Sequence, residues 1–288
     1  MAVGANNRGG RAIHVVLMAP AILLIFAFVI APIGIAVVDS FRNEREWTSG
    51  NYLHVLTEPP YPRVLLNTLV IATLTTVFTM GIAFPAAVFV ASRSGRAVGV
   101  VVTLLAITLS ISVLVKIFAW QVLLARDGPI NALLLGAGIA SEPLLMLYTR
   151  PSVVIAMVQI MAPYACLLLI AGMRRIDRDL LTAARTLGAG PLVVFRDVYW
   201  PQVRFGVVMT TLIIFIGSSG FFVAPALVGG PSEIMLGMKM QSDLVNQYET
   251  GLAATTGILL TLFLLALTFV ALRLSGRSFR HLAEELGR

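Results

Sequence analysis

The chain has 288 residues, of which 58% are hydrophobic and only 12% charged, with a formal net charge of +7. A water-soluble domain carries roughly a quarter of its residues as Asp, Glu, Lys and Arg, so this composition excludes a soluble globule. The lone cysteine, Cys166, excludes an intrachain disulfide.

The apolar residues fall in six runs, 13–38, 64–91, 97–125, 152–173, 205–228 and 252–274. Each is long enough to supply the ~20 helical residues that cross a hydrocarbon core. None alternates with period two, which argues against an outer-membrane barrel, and lipid otherwise admits only helices. The expected fold class is all-α and integral to the membrane, with residues 1–288 forming one transmembrane domain of six helices.

The first run follows Arg8 and Arg11, as a signal sequence also would. It is longer than the ~7–15 residues of a signal core and no small-x-small site closes it, so it is expected to remain as a helix. Pro20, Pro32 and Pro85 are expected to kink their helices. In the third run, LSISVLVKIFAWQVLLA places Lys116 one helical turn before Trp120. An unpaired charge at membrane depth costs at least ~2.5–3.5 kcal/mol. Three readings stay open for Lys116: its stem snorkels to the headgroups, it forms a structural ion pair, or it faces a cavity beside Trp120.

After the third run, DGPINALLLGAGIASEPLLMLY has an apolar middle too short to span. A short helix lying at the interface is expected there. Between the fourth and fifth runs lies a polar island, LLTAARTLGAGPLVVFRDVYWPQV, within the loop 174–204. Asp177 suits an N-cap, and Ile176, Leu180, Ala184 and Leu187 share one helical face. Gly188 suits a left-handed stop, and Pro191 suits the first position of a second helix. That helix, 192–199, is expected to end at Trp200-Pro201, because proline disfavours helix in the residue before it. The result is a hairpin that either lies on the membrane surface or docks a protein. The small pair Ala183-Ala184 favours docking, since it lets another surface approach the backbone.

The fifth run contains FIGSSGFFVAP, with Gly217, Ser218, Ser219 and Gly220 near mid-depth. Small residues pack helices closely, and they also occur where a helix opens around a polar cavity. Phe221 and Phe222 would then form a gate or an apolar wall.

Basic residues set the orientation. With the spans alternating, one side receives Arg8, Arg11, Arg93, Arg96, Arg174, Arg175, Arg178, Arg185, Arg196, Arg204, Arg273, Arg277, Arg280 and Arg288. The other receives Arg42, Arg45, Arg63, Arg126, Arg150 and Lys239. The positive-inside rule makes the first side cytoplasmic. Both termini and the 174–204 loop are then expected inside, and the positive charge reflects topology, not nucleic acid.

No catalytic or metal site is expected. His14, His54 and His281 lack metal-ligand spacing, and Cys166 has no histidine within its span to serve as a base. A phosphate-binding GxxxxGK[ST] loop is absent, because the only lysines are Lys116 and Lys239.

The spacing Ala183-Ala184, three residues, Gly188, nine residues, Val198 and Pro201 resembles the EAA loop, Glu-Ala-Ala-x3-Gly-x9-Ile-x-Leu-Pro, of permease subunits in ATP-binding-cassette (ABC) importers of type I. Thr182 replaces the family's glutamate, Val198 its isoleucine and Trp200 its leucine. GPINALLLGAGI, EPLLMLYT and GFFVAPALVGGP are similar to permeases of the spermidine/putrescine type, within a group also linked to iron, 4-aminobutyrate and opines. The resemblance implies a non-catalytic permease of the bacterial cytoplasmic (inner) membrane that forms half of a translocation path. It implies that Thr182, Ala183, Ala184, Gly188 and Pro201 belong to the element coupled to the ATPase. It also implies two ATPase subunits, which hold ATP and Mg so that no cofactor lies in this chain, a second homologous permease and an extracytoplasmic solute-binding protein, all in a setting of membrane lipid. Candidate pathway residues are Lys116, Trp120, Ser218, Ser219, Gly220, Phe221 and Phe222. The solute implied first is a polyamine, with a carboxylate-bearing or amino-acid-like solute, or iron, as alternatives.

Two rival classes remain. An ion-coupled secondary transporter would carry acidic residues within its spans or an inverted repeat, and an intramembrane enzyme would carry a nucleophile with its base. The sequence displays neither set.

Overall fold

The computed structural model describes residues 18, 20, 23–43, 46–93 and 95–274. The expectations on Arg8, Arg11, His14, His281 and the last arginines, and on both termini, fall outside the described residues. The chain is mostly helical. Among the described residues, five helices are long and apolar enough to cross a membrane, or six if one bent pair counts as a single span. The chain divides into two compact units, one of residues 1–59 and 240–261, the other of residues 60–239 and 262–288.

In the first unit, α1 (Leu23–Ser40) is exposed along almost its whole length, as an apolar helix meant for lipid must be. A π-helical turn at Phe26–Ile30 stands directly before Pro32. Proline lacks an N–H and crowds the carbonyl four residues back, and a wider turn upstream relieves that conflict. A short antiparallel ribbon, β1 (Arg42–Asn43) and β2 (Glu46–Trp47), leads to α2 (Gly50–Thr57). Buried Asn51 donates to the Ser40 and Arg42 carbonyls at 3.0 Å each. Thr255 Oγ1, on the long helix Thr250–Leu274, donates to Ser40 O at 3.1 Å. The freed carbonyls at the end of α1 are thus satisfied by side chains.

The second unit holds α3 (Tyr61–Ala91), α4 (Arg96–Ser110), α5 (Val113–Leu124), α6 (Pro129–Gly136), α7 (Arg150–Met173), α8 (Arg178–Thr186), α9 (Pro191–Ser219), α10 (Val223–Val228) and the start of α11 (Leu236–Gln241). The helix Thr250–Leu274 becomes α12 and has residues in both units. The centre is α7, which packs against α3, α4, α5, α9 and α10. Lipid is as apolar as a leucine side chain, so these contacts rest on close packing and not on transfer from water. Accordingly α3 presents small residues to the core: Ala72, Thr75, Thr79, Ala83 and Ala87 are all fully buried. Thr75 Oγ1 lies 3.9 Å from Met157 Sδ and Cys166 Sγ 4.0 Å from Ala83 O, which sets the register of α3 beside α7.

Two runs differ from the sequence expectation. The run 97–125 is not one helix: α4 stops at Ser110, Ile111 and Ser112 are extended, and the stretches Val98–Ser110 and Val113–Gly136 are bent by 92°. Ser110 Oγ returns to its own Ala106 carbonyl at 3.1 Å, which covers a backbone acceptor near the break. The run 205–228 is likewise interrupted, because α9 ends at Ser219 and α10 begins at Val223.

Candidate functional site

The 174–204 loop folds as a hairpin whose tip is built by capping chemistry. Asp177 accepts from Asp179 N at 2.9 Å and starts α8. At its end, Ala189 N donates to Ala184 O at 3.1 Å and Gly188 N to Arg185 O at 3.0 Å. This pair of bonds is a Schellman motif, and it requires a left-handed residue at its turn. Gly188 has φ +85° and nothing near the position a Cβ would take. The glycine is therefore demanded by backbone conformation, and the space around it is open to a second molecule. Of the expected apolar face, Leu187 is 88% exposed and Leu180 is exposed, whereas Ile176 packs half-buried against the core; Leu192 of the second arm is exposed too. Thr182, Ala183 and Gly188 are also exposed, and Ala184 is half-buried. Thr182 and Arg185 line a small cavity of about 250 Å³ closed by Tyr199, Met173 and Val88.

The second arm does not end at Trp200-Pro201. It runs on from Pro191 to Ser219 as a single helix, and Trp200 is itself helical. The reason is a second π-helical stretch, Val194–Tyr199, just upstream of Pro201. It relieves the proline as Phe26–Ile30 relieves Pro32. Phe195 stacks on Tyr199, and Trp200 meets Phe84 of α3 edge-on at 6.3 Å. The tip of the hairpin is consequently joined by continuous helix to the break at Gly220.

Around that break, Ser218 and Ser219 are fully buried, Phe221 and Phe222 are half-buried and Gly220 is exposed. Ser219 Oγ returns to Phe215 O at 2.8 Å, whereas the buried hydroxyls of Ser218 and Thr79 have no hydrogen-bond partner among the described residues. Trp120 is half-buried against the core and lines a cavity of about 640 Å³ with Leu74, Phe78, Val154, Gln159 and Arg150. Lys116, Ser218, Ser219, Gly220, Phe221 and Phe222 do not line this cavity. Lys116 is only 7% exposed in this chain. No carboxylate lies within ion-pairing distance of it among the described residues.

At the far end of the cavity, several bonds pin the segment that follows α10. Tyr148 N and Ser152 Oγ both donate to Val228 O, at 3.0 and 2.8 Å. Asn67 Nδ2 donates to Ser232 O, and Arg150 Nε to Glu233 Oε2 at 2.9 Å. Leu236 N donates to the buried Thr68 hydroxyl at 2.8 Å. A Cβ at Gly230 would run into the Tyr148 carbonyl, so glycine is required there by proximity. Gln121 Nε2 donates to Leu227 O at 2.6 Å and ties α5 to α10. Sequence reasoning missed Asn67, Gln121, Gln159 and the Arg150–Glu233 pair. The available signal was a polar residue inside or at the edge of each apolar run.

Residues 80–281 match the family of the binding-protein-dependent transport system inner membrane component. The chain belongs to that family; it is a multi-pass inner-membrane permease of the type I ABC importer class. It is 28% identical over 216 residues to the spermidine/putrescine transport system permease protein PotB of Escherichia coli, covering 75% of this chain and 78% of that one. The PotB of Haemophilus influenzae is 27% identical over 226 residues, 78% of this chain and 79% of the relative. The fold is similar to a chain of the bacterial alginate ABC transporter solved with its periplasmic protein, with TM-score 0.78, 15% identity and coverage of 91% and 93%. It is also similar to a chain of the MetNI methionine ABC transporter, with TM-score 0.56, 20% identity and coverage of 74% and 94%.

Proposed function

We propose that this chain forms half of the translocation path of an ATP-driven importer and carries force from an ATPase through the 174–204 hairpin. The observation that carries this reading is the Schellman-capped tip at Gly188, with Leu187 bare beside it and α9 running unbroken from the second arm to Ser219. An apolar, rigidly capped tip in water has no reason to stay uncovered unless another surface takes it. Thr182, Ala183, Ala184, Gly188 and Pro201 are the coupling residues of this proposal. The bent pair counts as one span, which gives six, and the arginine-rich side, with both termini, is cytoplasmic. One of two ATPase subunits then docks on the hairpin and holds ATP and Mg, while a second, homologous permease completes the path. A solute-binding protein delivers cargo to the opposite face, where Arg150 and Glu233 lie.

In mechanism, ATP binding closes the ATPase pair and displaces the hairpin. α9 transmits the displacement along its axis to the Gly220–Phe222 break. The segment beyond the break is pinned to α3 and α7, so the helix moves against a fixed cap. Trp120 supplies an aromatic face in the cavity beside α7, and Ser218, Ser219, Phe221 and Phe222 line the break.

The relatives named for spermidine and putrescine transport favour a polyamine as solute. An aromatic face suits an alkylammonium chain. Lys116, buried without an ion-pair partner in the described chain, favours a second reading, a solute that bears a carboxylate. ATP-dependent uptake of putrescine into vesicles holding the permease pair, ATPase and binding protein tests the first reading. Saturable uptake supports it, and a coupled complex that ignores putrescine refutes it.

A further inference from the structure

We infer that the cavity at the root of the hairpin binds the phosphate of an anionic phospholipid of the inner leaflet, with Arg185 as its cation. The inference rests on the importer reading, which puts this hairpin at the cytoplasmic surface. The cavity has a volume of about 250 Å³. One side is formed by Val88, near the end of α3, and by Met173, the last residue of α7, so it lies where two candidate spans stop. The other side is formed by Leu181, Thr182 and Arg185 of α8 and by Tyr199 of α9.

The lining divides by chemistry. Among the described residues, Arg185 is its only charged member, is exposed and has no ion-pair partner. Asp177 and Asp179, at the start of α8, do not line the cavity. A guanidinium presents a planar fork of N–H donors that pairs with two phosphate oxygens at once. Thr182 and Tyr199 contribute hydroxyl groups to the same lining, and a hydroxyl supplies a further donor. Val88, Met173 and Leu181 make the remaining wall apolar. A free phosphate leaves that wall bare, whereas the glycerol and first acyl carbons of a phospholipid cover it. Basic pockets between membrane helices on the cytoplasmic side take anionic head groups in this way. Arg93, Arg174 and Arg175, all exposed just beyond the same span ends, draw anionic lipid toward the cavity. A lipid seated there touches both the span ends and α8. It braces the proposed coupling element against the membrane, and coupling then depends on anionic lipid.

The test counts bound lipid directly. The permease pair, with and without its ATPase, is reconstituted in phosphatidylcholine discs with or without phosphatidylglycerol, released, and weighed by native mass spectrometry. The parent should retain phosphatidylglycerol in preference to phosphatidylcholine. Arg185→Gln should weaken that retention about tenfold, the loss of a hydrogen bond to a charged group, and Arg185→Lys should keep part of it. Arg185 is exposed, and glutamine is as good a helix former, so α8 stays intact. Arg196→Gln, at an exposed arginine outside the cavity, should leave retention unchanged. Equal retention in the parent and Arg185→Gln, or equal losses in Arg185→Gln and Arg196→Gln, would overturn the site. Displacement of phosphatidylglycerol by glycerol 3-phosphate would assign the cavity to a free phosphate ester, and retention that disappears when the ATPase joins would assign it to that protein; either overturns the lipid assignment. Binding-protein-stimulated ATP hydrolysis should fall severalfold in discs without phosphatidylglycerol and stay low in Arg185→Gln in both lipids, and equal stimulation throughout would overturn the brace. Because lipid retention needs no transport, a failure of the importer reading shows separately, as hydrolysis that the binding protein stimulates in neither lipid.

Discussion

Arg150 and Glu233 lie far apart in the chain, yet Arg150 Nε donates to Glu233 Oε2 at 2.9 Å while Arg150 Nη2 donates to Asn67 Oδ1 at 3.2 Å. The carboxylate side chain is 9% exposed and the guanidinium side chain 40%. The pair is thus intermediate between an exposed bridge, worth ~0–1 kcal/mol, and a buried one, whose loss of one partner costs ~3–5 kcal/mol. Arg150→Ala should lower the thermal stability of the purified permease clearly, and Glu233→Gln, which keeps an acceptor for the arginine, should lower it less. Equal melting temperatures for all three proteins would show that the pair does not hold the cap.

Orientation is tested by thiol labelling in intact cells. A cysteine at Ser232, beside the arginine–glutamate pair, should react with an impermeant maleimide from outside, and a cysteine at Ala189 should react only after permeabilisation. The opposite pattern would invert the topology.

The hairpin tip offers a graded series. Gly188 sits at φ +85°, a conformation that Asn tolerates better than other non-glycine residues. Gly188→Asn should keep most of the coupled ATPase activity. Gly188→Asp, which adds a charge where the ATPase is to dock, should lose it while inserting normally into the membrane. Full coupling in Gly188→Asp would remove the hairpin from the force path.

How much of this was legible in the sequence differs by element. The hairpin cap was readable because Asp177, Gly188 and Pro191 each have a strong positional meaning in a chain of few polar residues. Trp200-Pro201 misled because the proline rule is local, and a π-helical stretch upstream absorbed the conflict. The 92° bend after Ser110 was hidden for a related reason: Ile111 and Ser112 leave the apolar run intact, and hydropathy does not register two extended residues. Asn67, Thr68 and Gln121 stood out only as polar residues in apolar runs, because the backbone carbonyls and N–H they bond come from segments distant in sequence.

Trp120 lines the cavity beside α7 together with Phe78. If solute passes it as a cation, Trp120→Ala should raise the apparent KM for putrescine uptake by about twofold to thirtyfold, the range of a cation–π contact of ~0.5–2 kcal/mol. Trp120→Phe should recover part of the loss. Unchanged uptake in Trp120→Ala at equal expression would place the polyamine path elsewhere.

In the proposed mechanism the hairpin couples this permease to an ATPase. The most direct measurement is binding-protein-stimulated ATP hydrolysis by the complex, purified through a tag on this chain and reconstituted, with Leu187→Asp compared against the parent. The ATPase subunit should co-purify with the parent and be stimulated, whereas Leu187→Asp should reach the membrane in equal amount without ATPase or stimulation. Leu187→Asp complexes that retain the ATPase and full stimulation would contradict it.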